Sequence, residues 1–144
     1  MTPPITPATP LAERVEAARR LLQRHWGFGE FRPAQARVIR SVLAGRDVLA
    51  ILPTGGGKSL CFQIPALVLG GLTIVVSPLL ALMQDQVAAL RARGVEAAAL
   101  NSLLKAPQQA ELLQRVVAGT VRLLYVSPER LDRLATDLAK AKII

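Results

Sequence analysis

The chain has 144 residues, of which 51% are hydrophobic and only 3% aromatic, and its formal net charge is +8. This length predicts one compact unit with a buried core, and the single cysteine, Cys61, excludes an intramolecular disulfide and a cysteine-based zinc cluster. A reducing, cytosolic setting is therefore the simplest expectation. The positive charge favours an anionic partner such as nucleic acid, a nucleotide or acidic lipid, although solubility alone also accounts for a charge of this size.

The first ten residues, MTPPITPATP, predict a proline-rich lead without regular structure. Proline has no backbone N–H and clashes with the preceding helical turn, so four prolines disfavour a helix here. The segment also lacks the basic start and the apolar run of a secretory signal, and it cannot form the amphipathic helix of a transit peptide. We expect residues 1–10 to be disordered.

Two helices are predicted in residues 11–46. The first covers residues 11–25, and its apolar residues recur at helical spacing between charged ones: Leu11, Val15, Ala18 and Leu22. The segment WGFGEFRP then interrupts the pattern, because it contains two glycines and a proline. The following AQARVIRSVLAG predicts a second helix that ends at Gly45, a residue suited to a C-terminal cap.

From residue 47 on, short apolar strands alternate with helical segments. The predicted strands are DVLAIL (47–52), LTIVVS (72–77), VEAAAL (95–100) and VRLLYVS (121–127). The predicted helices lie near residues 58–69, 79–92, 106–118 and 128–141. Because apolar strands separated by helices pair in parallel, the pattern predicts an α/β fold, a parallel sheet with flanking helices, after the short helical segment. The final KII is the expected start of a fifth strand.

The 26 residues between Lys58 and Asp85 carry no charge, which is long enough to suggest a membrane-spanning helix. Turn-forming residues divide this run, however, at Pro65, at Gly70–Gly71 and at Ser77–Pro78. The piece LTIVVS is rich in β-branched residues, which favour strands. A buried helix, a turn and a buried strand are therefore predicted instead, and no membrane is expected as a partner.

The segment ILPTGGGKS (51–59) places a glycine-rich turn between a predicted strand and a predicted helix. In that geometry backbone N–H groups can surround phosphate oxygens at the helix N-terminus, because glycine has no obstructing side chain and tolerates positive φ. The residues of this predicted site are Thr54, Gly55, Gly56, Gly57, Lys58 and Ser59. Lys58, the catalytic cation, would reach the β- and γ-phosphates, and Ser59 would complete the coordination of Mg²⁺. The predicted ligand is therefore a nucleoside triphosphate with Mg²⁺.

A flexible glycine turn is the alternative interpretation of this loop, because the strict pattern G-x-x-x-x-G-K-[ST] requires a glycine where the chain has Leu52. Two segments of the chain favour nucleotide binding over a flexible turn. FGEFRPAQ (28–35) resembles the adenine-recognition element of RecQ-family DNA helicases. LPTGGGKSLCFQIPAL (52–67) is similar to the phosphate loop of that family, which has leucine and proline in place of the missing glycine.

The resemblance implies a RecA-like P-loop NTPase domain over residues 47–144, with ATP as the nucleotide. It further implies that Phe28 and Arg32 lie on either side of the adenine ring and that Gln35 pairs with its N6 and N7 edge. The chemistry of these side chains agrees, since an amide offers one donor and one acceptor while an aromatic face and a guanidinium plane both stack. Taken singly, Phe28 would be interpreted as a core aromatic residue and Gln35 as an exposed helix residue.

Two more segments extend the resemblance: TIVVSPLLALMQDQV (73–87) and VRLLYVSPERL (121–131). In the RecQ family the corresponding loops touch the backbone of single-stranded DNA. The resemblance therefore implies contacts from Ser77, Pro78 and Arg130 to phosphates of single-stranded or partly duplex DNA. A Ser-Pro pair that only caps the next helix explains either loop equally well on its own.

Hydrolysis at such a site needs a strand that ends in acidic residues, and no two acidic residues are adjacent in this chain. We therefore expect the chain to stop before the acidic Walker B strand, and to bind ATP without hydrolysis or unwinding. The parent activity implied by the resemblance is an ATP-dependent 3′-to-5′ DNA helicase in recombination and repair, located in the cytosol and on the nucleoid if bacterial. Two alternatives stay open: a non-catalytic nucleotide- or nucleic-acid-binding module, and a small P-loop kinase or GTPase.

Overall fold

The computed structural model describes residues 5, 6, 8–55 and 57–140, and the chain divides into two compact units. The first unit runs to Gly70 and the second begins at Gly71. Within the described residues, the first unit contains three helices and the second contains a parallel sheet with three further helices. The predicted α/β class, with a parallel sheet, flanking helices and a preceding helical segment, is confirmed.

Three helices pack around one apolar core in the first unit: α1 (Leu11–Trp26), α2 (Pro33–Leu43) and α3 (Leu60–Leu69). Both helices predicted before residue 46 are confirmed, and α3 covers most of the helix predicted near residues 58–69. The buried residues of this core are Ala17, Ala18, Leu22, Ile39, Leu43, Ile64 and Val68. Helices of this length are marginal alone in water, so the shared burial of apolar surface is what stabilises them.

Gly27 ends α1 in a left-handed conformation with φ +77°, which glycine adopts without a steric penalty. Its N–H donates to the carbonyl oxygens of Leu22 and Gln23. This cap satisfies carbonyl groups that the helix end would otherwise leave unpaired. The short segment 28–32 then connects α1 to α2.

Residues 47–52 form no strand, so the prediction of a first strand there is wrong. The side chains of Leu49 and Ile51 are 88% and 86% exposed, and none of the described strands pairs with this segment. An apolar cavity of 280 Å³ beside α2 and α3 is lined from this segment by Val48, Ala50 and Leu52. A strand requires a neighbour for its backbone hydrogen bonds, and an apolar sequence cannot show whether that neighbour is present.

A three-stranded parallel sheet with strand order β1-β3-β2 forms the centre of the second unit. Its elements are β1 (Thr73–Val76), α4 (Leu80–Ala92), β2 (Ala97–Leu100), α5 (Ala106–Val117), β3 (Leu123–Val126) and α6 (Pro128–Lys140). These elements confirm the three strands and three helices predicted after residue 71. All four residues of the central β3 are buried, and Val126 lies beside Val76 and Leu100. The carboxyl ends of the three strands therefore meet at one edge of the sheet.

The uncharged run after Lys58 divides as predicted into α3, a turn at Gly70 and Gly71, β1 and the start of α4. β1 alternates between half-buried and exposed residues, so the expectation of a fully buried strand is wrong for Ile74 and Val76, which are 40% and 48% exposed. Across the ranges that the structure describes, no helix combines the length and the hydropathy needed to cross a lipid bilayer.

Some predictions fall on residues that the structure does not describe. The fifth strand predicted at the final KII lies outside the described residues, as do residues 1–4 and 7 of the proline-rich lead. In the described part of that lead, the Thr9 N–H donates to the Thr6 carbonyl oxygen at 2.9 Å, and Ile5 packs against the core of the first unit. The division into a lead, a helical segment and a domain that starts at residue 47 stays a prediction.

Candidate nucleotide-binding site

Gln35 occupies the third position of α2, where its amide performs a common capping role. Its Oε1 accepts a hydrogen bond from the backbone N–H of Arg32, the N-cap residue, at 2.9 Å. Gln108 does the same at the start of α5, accepting from Lys105 N–H at 2.9 Å. The position of the Gln35 amide oxygen is therefore explained by helix capping alone.

The other half of the Gln35 amide contacts the glycine loop. Gln35 Nε2 donates to the carbonyl oxygen of Gly57 at 3.0 Å, and the whole residue is only 4% exposed. The two partners fix which end of the amide is oxygen and which is nitrogen, because one is an N–H donor and the other a carbonyl acceptor. Nε2 has a second hydrogen and Oε1 a second lone pair, so the amide can still pair with a ligand.

Gly57 fits against Gln35 only because it has no side chain. Its φ is +73°, and a Cβ built at this position would overlap Gln35 Nε2. Gly55 also has positive φ, +78°, but a Cβ there would meet no described atom within 4 Å. The sequence anticipated the positive φ of these glycines, whereas the close approach of Gln35 is a finding of the structure.

A small cavity of 180 Å³ joins the predicted adenine residues to the glycine loop. It is lined by Leu22, Phe28, Glu30, Arg32, Gln35, Gly57 and Leu60. Phe28 is 56% exposed, which leaves its ring free to cover a ligand. The cavity is smaller than the roughly 300–1,000 Å³ of pockets that enclose a drug-sized ligand, so it suits one ring system better than a whole nucleotide.

Arg32 connects the same cavity to the turn of the loop. Its Nη1 donates to the carbonyl oxygen of Gly55 at 2.5 Å, and the side chain is otherwise exposed to solvent. Three of the predicted ligand residues, Phe28, Arg32 and Gln35, are thus brought together with Gly57 around one space. Sequence reasoning did not assign Leu22, Glu30 and Leu60 to this site, although Glu30 lies inside the quoted segment FGEFRPAQ.

The rest of the glycine loop lies before α3, which begins at Leu60 with Ser59 as its N-cap residue. The first α3 bonds run from the Cys61 N–H to Lys58 O and from the Gln63 N–H to Ser59 O. The amides just before Cys61 therefore lie at the positive end of the helix, where an anion is stabilised. Thr54 and Lys58 are exposed, Ser59 is half-buried, and Gly56 lies outside the described residues.

A metal ion at this site would depend largely on the nucleotide for its ligands. The described residues contain no group of three or more histidine, cysteine, aspartate or glutamate side chains placed to hold a metal. Mg²⁺ commonly keeps several waters and binds through substrate phosphates with one or two protein ligands. Ser59, at the start of α3, fits the part of one such ligand.

Lys58 also lines the apolar cavity of 280 Å³ beside α2 and α3, together with the buried Cys61. Burial raises the pKa of the Cys61 thiol, and a backbone hydrogen bond opposes this shift only in part. The folded thiol thus keeps its proton at pH values where the unfolded thiol loses it. The raised pKa makes the free energy of unfolding depend on pH. The contribution of Cys61 to stability is fully present below the pKa of the unfolded thiol, and it is lost as the pH rises through the higher pKa of the folded thiol.

We expect iodoacetamide to alkylate Cys61 at least several-fold more slowly in the folded chain than in urea at the same slightly alkaline pH. The thiolate is the reactive form, and both the raised pKa and the burial of the thiol lower its availability. Cys61 is the only cysteine, so the mass shift of the intact chain reports this reaction alone. Equal rates in the folded and unfolded chain would contradict the burial of this side chain.

A second group of predicted residues lies in the other unit, at the carboxyl edge of the sheet. Ser77 follows β1 and Ser127 follows β3, and their amides donate to Val126 O and Leu100 O respectively. Each serine is followed by a proline and a helix, so two positively polarised helix N-termini lie at neighbouring strand ends. Ser77 was predicted as a ligand residue, whereas Ser127, in the same Ser-Pro pattern, was missed.

Ser77 also caps its own turn, since its Oγ accepts a hydrogen bond from Leu79 N–H at 3.3 Å. That contact uses the hydroxyl only as an acceptor, so its hydrogen can still be donated to a phosphate oxygen. Pro78 is exposed beside it. Asn101, which follows β2 at the same edge, is 3% exposed and accepts from Leu103 N–H at 2.9 Å. Sequence reasoning missed Asn101, for which the only signal was a polar residue at a strand end.

Arg130 is placed differently from the other predicted ligand residues. It is only 8% exposed, and its Nη2 donates to Gln109 Oε1 at 2.9 Å and pairs with Asp137 Oδ2 at 3.3 Å. The structure thus brings Ser77, Pro78 and Ser127 to one edge of the sheet and directs the Arg130 guanidinium into contacts between α5 and α6.

Comparisons with known proteins identify the family. A sequence model described as DEAD/DEAH box helicase matches residues 32–144. The chain is 50% identical over 121 residues to ATP-dependent DNA helicase RecQ of Synechocystis sp., a match covering 84% of this chain and 25% of that relative. It is 48% identical to RecQ of Haemophilus influenzae, covering 76% of the chain and 18% of the relative, and 47% identical to the probable ATP-dependent DNA helicase RecS of Bacillus subtilis, covering 77% and 22%.

The chain therefore spans a quarter or less of the length of these relatives. The predicted resemblance to RecQ helicases is confirmed over most of this chain's own length. The family match also assigns the parallel sheet and its helices to the RecA-like α/β fold of helicase motor domains.

Proposed function

The chain belongs to the DEAD/DEAH box helicase family, and we propose that its first unit binds ATP and its second unit binds single-stranded DNA. In this proposal it is the nucleotide-binding part of a RecQ-type, ATP-dependent 3′-to-5′ DNA helicase that acts in recombination and repair. The names of the relatives support the class of activity. The proposal includes a cytosolic location, on the nucleoid if the source is bacterial.

The observation that carries the ATP proposal is the Gln35 amide, which lines the cavity while it holds the carbonyl of Gly57. Adenine presents the N6 amino donor beside the N7 acceptor, and an amide matches that pair with its own acceptor and donor. Guanine presents two acceptors, O6 and N7, at the same edge. The fixed orientation of the Gln35 amide would then set its oxygen against guanine O6, so the site favours ATP over GTP.

The remaining contacts divide between the base and the phosphates. Phe28 and Arg32 line the cavity from the α1–α2 connection, and both side chains can stack on a purine ring. Lys58 and the amides at the start of α3 supply positive charge for the β- and γ-phosphates. Mg²⁺ neutralises phosphate charge when it accompanies the nucleotide, and Ser59 is the residue of this chain that would hold it.

We further propose that this chain binds ATP without hydrolysing it and without unwinding DNA. Hydrolysis in this class of site uses acidic side chains that hold the metal and orient the attacking water. The sequence contains no adjacent pair of acidic residues, and no described cluster of acidic side chains takes that place. Nucleotide binding with no release of phosphate is therefore the expected behaviour of the chain.

The proposed DNA contacts lie at the carboxyl edge of the sheet in the second unit. Two helix N-termini and the Ser77 hydroxyl are the kinds of group that bind nucleic-acid phosphates without reading sequence. Ser77 and Pro78 are the proposed contacts after β1, and the loop at Ser127 is the equivalent after β3. A direct phosphate contact from Arg130 was also predicted from the sequence, but this proposal does not include it, because Arg130 is only 8% exposed.

We expect Gln35→Ala to lower ATP affinity about thirtyfold and to abolish the preference for ATP over GTP, because two hydrogen bonds worth about 1 kcal/mol each would be lost. Phe28→Ala should weaken both nucleotides to a similar degree, since stacking does not distinguish purines. Titration calorimetry with ATP and GTP measures both effects.

The matched control for Gln35→Ala is Gln108→Ala, which removes the same capping bond from α5 in the other unit. It should cost a similar, small amount of stability, about 1 kcal/mol, and leave nucleotide affinity unchanged. Wild-type chain that binds GTP as tightly as ATP would contradict the proposal. If neither Phe28→Ala nor Gln35→Ala then altered nucleotide affinity, the alternative of a P-loop kinase or GTPase would be favoured.

A further inference from the structure

Arg130 joins two helices of the second unit from a nearly buried position. Its guanidinium contacts Gln109 on α5 at 2.9 Å and Asp137 on α6 at 3.3 Å. The side chains of Arg130 and Asp137 are 9% and 15% exposed, so water screens this ion pair far less than the pair of Arg115 and Glu96, which are 38% and 61% exposed. The contact is therefore a built part of the unit and not a surface ion pair.

A direct contact with DNA phosphate would conflict with these surroundings. The charge of Arg130 is already compensated by Asp137, and its Nε is buried. Exposed arginines such as Arg122 and Arg133 lie nearby in the sequence and present their charge to solvent instead. Bringing a phosphate to Arg130 would require the buried pair to open, and a separated buried charge is costly.

The backbone of Arg130 is tied to the loop that precedes α6. The amides of Arg130 and Leu131 both donate to the carbonyl oxygen of Ser127, at 3.0 and 3.2 Å. Asp137 lies two turns further along the same helix. Side chain and backbone together thus hold the first turn of α6 against α5 and fix the position of Ser127 at the carboxyl edge of the sheet.

We propose that Arg130 is a positioning residue, which orients the Ser127 loop for phosphate binding without touching DNA itself. This role rests on the proposed DNA contacts at the edge of the sheet. In this role Arg130 aligns the N-terminus of α6 beside the Ser77 loop. Asp137 and Gln109 contribute to the same alignment through their contacts with the guanidinium.

The sharpest test is Asp137→Asn, measured as binding of the full chain to fluorescent oligothymidylate over a range of KCl concentrations. If Arg130 only positions the loop, Asp137→Asn and Arg130→Gln should each weaken binding about fivefold, and the double variant should be little worse than either single variant. The dependence of affinity on salt should keep its slope, since no phosphate contact is removed. Gln109→Leu is the milder variant of the same network if the other two fold poorly.

A direct phosphate contact predicts different changes in DNA affinity and in its dependence on salt. Asp137→Asn would then free the guanidinium and leave binding unchanged or tighter, and Arg130→Gln would reduce the salt slope by about one. Either result would overturn the proposal. Asp132→Asn and Arg133→Gln, which change exposed charges on the same helix, are the controls for general electrostatics.

Hydrogen exchange separates this inference from the DNA proposal. In folded Asp137→Asn, the amides of Arg130 and Leu131 should exchange faster than in the wild type, while the amides of β3 should keep their protection. If the wild-type chain does not bind oligothymidylate, the DNA proposal fails, and the positioning of the loop is judged by exchange alone. Unchanged exchange at both amides would contradict it.

Discussion

Lys58→Ala is expected to weaken ATP binding by about a hundredfold, the largest loss for any single side chain of the proposed site. The ammonium group is the one cation in the glycine loop, and it lies next to the amides at the start of α3. Removing one member of a close charge pair usually costs about 2–5 kcal/mol, and the exposure of Lys58 places this case at the lower end. Affinity for ADP should fall less, because the γ-phosphate contact is absent.

Lys105→Ala is the matched control, since it removes another exposed lysine, at the N-cap of α5 in the other unit. Titration calorimetry with ATP and Mg²⁺ compares both variants with the wild type. The circular dichroism of the Lys58 variant should match that of the wild type, because the side chain contributes little to packing. Unchanged ATP affinity in such a folded sample would remove the basis of the nucleotide proposal.

Gly57→Ala is expected to destabilise the first unit by about 3 kcal/mol and to reduce ATP affinity together with its preference over GTP. Two separate costs add up at this residue. The first is the strain of an alanine held at a positive φ of +73°. The second is the overlap of its Cβ with the Gln35 amide nitrogen, which must then give up its hydrogen bond to the carbonyl oxygen of residue 57. Urea unfolding followed by circular dichroism measures the first effect, and nucleotide titration measures the second.

Gly55→Ala isolates the backbone cost, because Gly55 has φ +78° and open space where its Cβ would lie. We expect it to cost about 1–2 kcal/mol less than Gly57→Ala. The double variant Gly57→Ala/Gln35→Ala should recover part of the stability, since the smaller side chain removes the overlap. Equal destabilisation by Gly55→Ala and Gly57→Ala would contradict the close approach of Gln35 to the loop.

The sequence predicted most elements of the fold because their apolar patterns matched the burial that the structure provides. The four residues of β3 are apolar or aromatic and all are buried. In α1, Ala18 and Leu22 are buried and Leu11 and Val15 pack partly buried against the same core. Both kinds of element carry their signal locally. The segment 47–52 has an equally apolar sequence but pairs with no described strand, and here the local signal predicted a strand that does not form.

The candidate site was predicted less completely, because spacing along the chain does not reveal contacts across the fold. The glycine loop and the segment FGEFRPAQ were recognised separately, and the bond from Gln35 to Gly57 joins residues 22 positions apart. The contacts of Arg130 were likewise not visible from its position along the chain. Its place after a Ser-Pro pair suggested a phosphate contact, whereas its burial depends on Gln109 and Asp137, which no local pattern connects to it.

The exposed aliphatic side chains of Leu49 and Ile51 affect the solubility of the purified chain. This segment pairs with none of the described strands and exposes two aliphatic side chains, so it favours self-association and offers a template on which a second molecule can add a strand. Lysine at either position would add a charge that discourages such self-association. Neither side chain lines the cavity of 180 Å³ beside Gln35, so such a substitution would leave nucleotide recognition intact.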